Sequence, residues 1–261
     1  MKPDYKNWMP KGMIWTAVGA TVLFLILWIV FGLTGLVSGM AKTVLFIVFF
    51  ALMIVALCTV IWMILLYCKF SYNGKRQMSK QIIEGIAEHV KLPDGGTGLD
   101  VGCGSGALTI ACAKRNPNAS FIGIDRWGRE YASYNKPLCE NNAWAEGVKN
   151  VTFRRGDATK LDFEDETFDA VTSNYVYHNI PGDRQTLLLE TLRVLKKGGT
   201  FAIHDIFSKS RYGDMQAFTQ KLRGMGYADV RLIPTDDGTF IRKSEAAWME
   251  LAGSALLVGK K

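Results

Sequence analysis

Three glycines alternate through the short stretch "DVGCGSG", which joins a strand-like run to a helix-like run. Gly102, Gly104 and Gly106 carry no side chain, so a ligand can approach the backbone there. The amide N–H groups at the start of the following helix point toward the same place. By itself, this loop is consistent with a pyrophosphate, with an amino-acid carboxylate or with no ligand.

Acidic residues at the ends of neighbouring strands narrow this choice. Asp100 lies in the glycine stretch, Asp125 ends the run "SFIGID", and Asp157 follows the next strand in "RRGDA". In an open parallel sheet, these positions meet beyond the carboxyl ends of the strands. A carboxylate at Asp125 can accept both hydroxyls of a ribose, and one at Asp157 can accept an adenine amino hydrogen beside the Ala158 backbone. The pattern favours a nucleoside without a pyrophosphate.

The elements that must position these residues follow from the hydrophobic pattern. Short β-branched runs predict strands at 98–102, 120–125, 151–155, 168–174, 200–205, 228–234 and 254–259. Amphipathic runs predict helices at 75–90, 105–115, 128–145, 183–195 and 213–224. This alternation indicates an α/β fold with a mostly parallel sheet covered on both faces. The last two strands are expected to pair as a hairpin at the sheet edge.

Five ordered motifs resemble those of the class I S-adenosylmethionine-dependent methyltransferases. They are "LDVGCGSG", "IGIDR", "GDA", "FDAVTSNYVYHNI" and "LRVLKKGGTFAIHDIF". The resemblance covers residues 72–261 and implies a Rossmann-like, seven-stranded sheet whose last strand is antiparallel. It also implies S-adenosylmethionine as the cofactor.

The resemblance assigns roles to individual residues. The methionine moiety would lie against Asp100 and the loop from Gly102 through Cys103 and Gly104 to Gly106. The ribose would be held by Asp125, and the adenine by Asp157 and Ala158, with Arg126 or Trp127 across its face. Asn174, at the end of the fourth strand, completes the predicted cofactor set.

Two alternatives compete with this interpretation. A nicotinamide-dependent dehydrogenase also combines a glycine loop with an acidic residue on the second strand, but its loop reads G-x-G-x-x-G. Here the spacing is G-x-G-x-G, so Ala107 would have to replace the last glycine. The other alternative is an intact fold that no longer binds a cofactor, although every expected acidic position is filled.

Methyl transfer from a sulfonium is an in-line displacement, for which alignment and exclusion of water supply most of the rate. A general base is needed only when the acceptor is protonated or weakly nucleophilic. The resemblance to phosphoethanolamine methyltransferases implies a catalytic pair of His178 with a lid tyrosine, here Tyr72. The alternative is that His178 only packs at the entry of the next helix.

Other residues are expected at the acceptor side of the site. Tyr175 follows the fourth strand, and His204 and Asp205 end the fifth. Asp205 would attract a cationic amine or else cap the next loop, 206–214, which is the longest lid candidate. Arg211 in this loop would meet a phosphate or carboxylate, or else be a solvated charge. The five cysteines lack metal-ligand spacing, so no metal is expected.

The N-terminal region predicts a membrane anchor, residues 1–71, before the methyltransferase domain, residues 72–261. Segments 14–37 and 43–67 contain no charged residue, and each exceeds the ~20 residues that cross a bilayer core. The first is too long for the core of a signal peptide. The five-residue linker implies an antiparallel hairpin, and the lysines and arginines outside it place both termini and the catalytic domain in the cytoplasm.

The partners expected are the bilayer and a small-molecule or lipid acceptor. Residues 69–261 carry 27 basic and 23 acidic side chains, a small excess that suits an anionic leaflet and does not indicate nucleic-acid binding. Gly32, Gly35 and Gly39 are expected to let the two helices pack closely, or else to support a homodimer.

Two functions follow. The favoured one is methylation of a lipid amine, a quinone-type ring or a hydrophobic thiol or amine. The alternative is a methyltransferase-like domain whose hairpin docks a partner protein.

Overall fold

The computed structural model describes residues 2–128 and 132–261. These residues divide into two compact units. One is Asn7–Gln77, and the other joins the segment up to Lys6 with Met78–Lys261. The first few residues of the chain therefore belong to the same unit as the predicted methyltransferase domain, whereas the sequence pattern assigns them to the anchor.

The smaller unit consists of two apolar helices. Helix α1, Lys11–Leu27, continues as a π-helical turn, Trp28–Leu33, and α2 is Gly39–Phe70. By length and composition, Lys11–Leu33 and Gly39–Phe70 are both able to cross a membrane. They include most of the two predicted spans.

Aromatic packing joins α1 to α2 within this unit. The Trp28 ring lies 5.4 Å from that of Phe46 and 5.5 Å from that of Phe50. A Cβ atom at Gly32 would lie 3.0 Å from the Phe46 ring. Gly32 therefore permits close helix packing within the hairpin, as small residues commonly do in membrane proteins.

The larger unit contains one seven-stranded sheet among the described residues. The strands are β1 (Thr97–Val101), β2 (Ser120–Asp125), β3 (Val151–Arg155), β4 (Phe168–Asn174), β5 (Leu195–Ile206), β6 (Ala228–Pro234) and β7 (Ser254–Lys260). Their order is β3-β2-β1-β4-β5-β7-β6. Among these strands, β7 runs antiparallel to both of its neighbours, β5 and β6, and the remaining pairs are parallel, which confirms the predicted Rossmann-like architecture. The final pair is antiparallel as expected, but β7 lies inside the sheet and β6 forms the edge.

Helices cover both faces of this sheet, as the alternating pattern requires. They are α3 (Met78–Ala87), α4 (Ala107–Arg115), α5 (Lys136–Ala145), α6 (Arg184–Arg193), α7 (Lys209–Tyr212), α8 (Met215–Gly224) and α9 (Lys243–Trp248). Helix α5 is shorter than the predicted helix 128–145, of which residues 129–131 lie outside the described ranges. It begins at Lys136 because the Asn135 side chain caps it by accepting from Leu138 N at 2.8 Å.

The core fixes the ends of the strands at which the candidate site lies. Large side chains such as Phe121, Phe168 and Phe201 are almost fully buried. Tyr177, just after β4, is also fully buried, and its hydroxyl bonds to Thr191 of α6. The chain that leaves β4 is therefore anchored in the core before it reaches His178.

Candidate active site

The glycine loop lies where the strand order reverses, between β1 and β4, which is the usual ligand position in an open α/β sheet. Gly102 and Cys103 donate their N–H groups to the Ile124 carbonyl, at 2.8 and 2.9 Å. Gly102 has a φ of +75°, and a Cβ atom there would lie 2.2 Å from a Val176 methyl. Both the backbone conformation and the space around it therefore require glycine at this position.

Asp125 ties the end of β2 to the glycine loop. Its two oxygens accept from Gly104 N at 2.9 Å and from Trp127 N at 2.6 Å. The Trp127 ring nitrogen donates in turn to the Gly104 carbonyl at 3.0 Å. A carboxylate offers about four acceptor positions, so Asp125 retains capacity for the two hydroxyls of a ribose.

Asp100 lies beneath the loop and not on its surface. Its side chain is 1% exposed and accepts from the hydroxyls of Thr109, at 2.6 Å, and Thr172, at 3.0 Å. Burial raises the pKa of Asp100 to about 6, while the two hydroxyl bonds oppose the shift. The expected direct contact of Asp100 with a methionine moiety does not match this geometry, because the carboxyl group is enclosed by protein.

Cys103 also turns its side chain inward. The residue is buried, and burial raises the pKa of its thiol well above the ordinary value. Its predicted contribution to cofactor binding is therefore restricted to its backbone. The neighbouring Cys139 of α5 donates its thiol to the Gly104 carbonyl at 3.2 Å.

The predicted adenine residues lie beyond β3. Asp157 is exposed, and one of its oxygens accepts from the N–H and hydroxyl of Thr159, at 2.8 and 2.7 Å. These bonds lower the pKa of Asp157, and the charge of the exposed Arg126 adds to the effect. Ala158 is half-buried and packs against the core. An ionised Asp157 beside an apolar residue is suited to hold an adenine ring and its amino group.

His178 and Asp205 form a hydrogen-bonded pair at the ends of β4 and β5. The Nδ1 and Oδ1 atoms are 2.6 Å apart, and the His178 side chain is 13% exposed. The Asp205 carboxylate also accepts from the N–H groups of Tyr177 at 2.9 Å, His178 at 3.2 Å and Ile206 at 2.7 Å. With Nδ1 engaged, Nε2 is the ring nitrogen that can exchange a proton with an acceptor.

Asp205 is ionised despite its burial. Desolvation favours the neutral form, but the bond and charge of His178 and the Ile206 N–H outweigh it and hold the pKa of Asp205 below its ordinary value. The expectation that Asp205 lines the acceptor pocket is therefore not met, because its fully buried carboxylate orients His178 instead.

His204 is likewise enclosed, contrary to the expectation that it faces the acceptor. Its Nδ1 bonds to Asn174 Oδ1 and its Nε2 to the Thr235 hydroxyl, both at 2.8 Å. Burial lowers the pKa of His204 to about 3, so the ring is neutral. A neutral His204 holds the Asn174 amide at the end of β4, and neither ring nitrogen is available to an acceptor.

Tyr175 packs between the two histidines. Its ring meets that of His204 edge-on at 4.6 Å and that of His178 at 5.9 Å. Its hydroxyl bonds to Ser254 at 2.8 Å, and burial raises its pKa. Tyr175 thereby fixes one side of the His178 ring.

Arg211 lies in α7 with an exposed side chain, and its role toward an acceptor stays a prediction. Its carbonyl accepts from Arg184 at 3.1 Å, and Arg184 also donates to the carbonyls of Tyr177 and His178, both at 3.2 Å. Arg184 thus joins the loops that follow β4 and β5. The sequence motifs gave no signal for Arg184, because all three acceptors are backbone atoms.

Tyr72 belongs to the unit Asn7–Gln77, and its pairing with His178 stays a prediction.

The fold and the geometry of the site together point to one class of protein. A glycine loop at the switch point, with carboxylates at the ends of three successive strands, suits a cationic nucleoside that carries no pyrophosphate. A family model described as a methyltransferase domain matches residues 92–225, just over half of the chain. The chain belongs to this family, the class I S-adenosylmethionine-dependent methyltransferases.

Three curated relatives show the extent of the similarity. The arsenite methyltransferase of Aquipseudomonas alcaligenes is 34% identical over 127 residues, 47% of this chain and 36% of the relative. The demethylmenaquinone methyltransferase of Lactobacillus johnsonii is 35% identical over 115 residues, 44% and 45% of the two chains. That of Geobacillus kaustophilus is 28% identical over 170 residues, 64% and 67%. The chain spans only about a third to a half of the length of the first two.

A solved structure shares the fold. The [4+2]-cyclase SpnF superposes with a TM-score of 0.52 at 20% identity, over 73% of this chain and 85% of that one. At this identity, the similarity defines the architecture alone.

The residues present fit S-adenosylmethionine. The carboxylates of Asp125 and Asp157 lie at and just beyond the ends of β2 and β3, where they suit a ribose and an adenine, and the adenosine lacks phosphates that would need a basic partner. Among the described residues, a Cβ atom at Gly104 would meet the Tyr134 ring, at 3.7 Å, so glycine leaves space beside the loop backbone there.

We predict that Gly102→Ala weakens cofactor binding. Gly95 provides a matched control, because it has the same φ of +75° but no atom of the described residues within 4 Å of its missing Cβ. Backbone strain destabilises the folded state of both variants by about 1 kcal/mol, but only Gly102→Ala must also displace Val176. Titration calorimetry should show at least tenfold weaker S-adenosylmethionine binding for Gly102→Ala alone, and equal affinities would contradict the requirement for glycine in this loop.

We predict that Asp100→Asn changes how stability depends on pH. The folded pKa of about 6 exceeds the ordinary value of 3.8, so the stabilising contribution of protonated Asp100 is lost as the pH rises through 6. Asparagine does not titrate. The free energy of unfolding of Asp100→Asn relative to wild type should therefore rise by about 2 kcal/mol between pH 4 and pH 8.

Denaturant titrations of both proteins at several pH values measure this difference. Other carboxyl groups cancel in the comparison. A pH-independent difference would show that Asp100 has an ordinary pKa in the folded state.

Proposed function

We propose that this protein is a membrane-anchored enzyme that transfers a methyl group from S-adenosylmethionine to a small, membrane-accessible acceptor. A quinone-type ring in its reduced form is the acceptor class we favour. The observation that carries this choice is the pair of His178 with the buried, ionised Asp205 at the carboxyl ends of β4 and β5.

The bound cofactor supplies an electrophilic methyl group on a sulfonium. The residues of the loop Gly102–Gly106 and Asp125 orient it from the ends of β1 and β2, and Asp157 with Ala158 bind its base. Because these contacts involve backbone and carboxylate groups on rigid strands, they place the methyl group with little residual freedom, which is the main catalytic term for an in-line displacement.

His178 supplies the proton transfer that a hydroxylated ring requires. As the acceptor oxygen gives up its proton to Nε2, its electrons raise the nucleophilicity of the ring carbon that bonds to the methyl group. A bound cofactor would supply the methyl group and would keep the electron pair of the carbon–sulfur bond. The ring carbon would then release its hydrogen to solvent as a proton, and His178 would return the first proton to the ring oxygen. Asp205 holds the ring of His178 in position and stabilises its positive charge.

The relatives support an acceptor of this kind without fixing it. Demethylmenaquinone is a quinone, and several of the relatives are named for its methylation. Another is named for arsenite. Members of one domain family are thus named for chemically unlike acceptors. We expect the residues that follow β4 and β5 to select the acceptor.

The anchor is the second part of the proposal. The helices Lys11–Leu33 and Gly39–Phe70 are long and apolar enough to span a bilayer, and lysines flank them on the sides that face away from the turn. We propose that the termini and the catalytic domain are cytoplasmic. An anchored site meets a membrane-dissolved acceptor at raised effective concentration.

The acceptor is tested with the full chain in detergent, labelled S-adenosylmethionine and three acceptors: a reduced naphthoquinone that lacks its ring methyl, phosphatidylethanolamine and a hydrophobic thiol. We expect label in the extracted ring compound. Transfer only to the amine or thiol would exclude the favoured class, and cofactor binding with no transfer to any extractable molecule would favour a partner-docking role.

We predict that His178→Ala lowers kcat with the ring acceptor by a factor of about 100 to 10,000, the usual contribution of a general base. A thiol that reacts as its thiolate needs no base, so its methylation should change little. The control is His89→Ala. His89 is exposed and precedes the glycine loop in sequence, so this variant should match wild type. An equal loss with both acceptors would exclude the proton-transfer role.

We predict that an epitope inserted after Gly35 is accessible from outside intact cells. Gly35 is chosen because no atom lies within 4 Å of its missing Cβ. Epitopes at the two termini should react only after permeabilisation, and the opposite pattern would overturn the proposed orientation.

A further inference from the structure

The segment that precedes the first apolar helix is part of the methyltransferase unit. The backbone of Asp4 pairs with the side-chain amide of Asn142: Asp4 N donates to Oδ1 at 2.7 Å, and Nδ2 donates to the Asp4 carbonyl at 3.1 Å. Tyr5 is 4% exposed, and its hydroxyl donates to Glu146 at 3.3 Å. These hydrogen bonds, made by Asp4 and Tyr5, hold residues 2–6 against α5 and Glu146, the residue that follows it.

The same amide reaches the glycine loop. Asn142 Nδ2 donates to the carbonyl of Ser105 at 3.0 Å, and Ser105 lies between Gly104 and Gly106. Asn142 is 2% exposed. A single buried side chain thus uses both of its donors and its acceptor to connect the start of the chain with the cofactor loop, across 138 positions of sequence.

Helix α5 is a support of this loop at two adjacent carbonyls. Cys139 donates to the Gly104 carbonyl at 3.2 Å, and Asn142, one helical turn further, donates to that of Ser105. The Asp4 backbone occupies the rest of the Asn142 amide. Without Asp4, the buried amide would lack partners for Oδ1 and for one N–H, a costly state that favours rotation of the side chain away from Ser105.

We propose that Asn142 is a positioning residue for cofactor binding and that residues 2–6 hold its amide in the orientation that supports the loop. The affinity for S-adenosylmethionine then depends on a segment that lies before the membrane helices in sequence. A cut made after the second apolar helix removes this segment with the anchor, so a truncated domain would bind cofactor weakly for a reason unrelated to the membrane.

The proposal is tested on the full chain in detergent, with S-adenosylhomocysteine binding measured by calorimetry. Asn142→Asp keeps an acceptor for Asp4 N but loses both donors. Asp4→Pro removes the backbone N–H and leaves Asn142 intact. We expect each to weaken binding about tenfold and to raise the exchange rate of amide hydrogens in residues 102–106.

A matched control separates positioning from general stability. Asn150 donates to the carbonyls of Ala113, Asn116 and Ala119 at 3.2, 3.2 and 2.7 Å, and none of these lies in the glycine loop. Asn150→Asp should lower the melting temperature and leave the affinity at the wild-type value. In steady state, Asn142→Asp should raise KM for S-adenosylmethionine with little change in kcat.

Wild-type affinity for Asp4→Pro, or an equal loss of affinity in Asn150→Asp, would overturn the proposal. Because binding of S-adenosylhomocysteine needs no acceptor, these results do not depend on the proposed quinone-type substrate. Failure of that substrate would appear only in the transfer assay.

Discussion

The backbone of the glycine loop passes against side chains from several neighbouring elements at once. Gly102 lies where a Cβ atom would meet Val176, and Gly106 lies where one would come within 3.0 Å of the Phe153 ring. Asp125 holds the Gly104 N–H from the end of β2. These strands and α5 are packed closely enough to fix the loop, so a change in their spacing would move the candidate cofactor site.

Two buried carboxyl groups beneath the site show how hydrogen-bond donors determine whether a buried carboxyl group is ionised. Asp100 has neutral donors, the hydroxyls of Thr109 and Thr172 and the backbone of Thr109, and its pKa is raised to about 6. Asp205 has three backbone N–H donors and the ring of His178, and its pKa is lowered although it is equally buried. Burial acts on both in the same direction, so the difference arises from the number and charge of the hydrogen-bond donors. Of these two buried groups, Asp205 is therefore the one that keeps a negative charge, directly behind His178.

The residues proposed for the cofactor and those proposed for the acceptor lie at the ends of different strands, which is consistent with one family accepting unlike substrates. The ends of β1, β2 and β3 carry the residues proposed to bind the nucleoside, whereas the ends of β4 and β5 carry His178 and the network that orients it. Arg184 connects these latter loops through backbone carbonyls. The cofactor half can stay constant while the acceptor half varies, which is consistent with relatives named for a quinone and for arsenite.

The local pattern of the sequence was sufficient to predict most of the fold, whereas the cofactor-binding roles that it assigned stay predictions. Strands β2, β3, β4 and β6 have the predicted bounds, and Asp125 and Asp157 lie at the strand ends where the motifs indicated. The seven strands and the antiparallel β7 followed from the family resemblance, whereas the order of the strands was not predicted. The signals for strands and motifs lie within a few residues of sequence, so hydrophobic periodicity and motif spacing are enough to predict these features.

The direction that each side chain faces was decided only by the tertiary structure. Both faces of β5 are covered, so alternation along this strand does not separate buried from exposed positions. His204 and Asp205 were both expected at the pocket, yet both are enclosed. The contact of Asn142 with Asp4 joins residues 138 positions apart, and its partner atoms on Asp4 are backbone. No local pattern specifies such a contact, because it forms only when packing brings distant segments together.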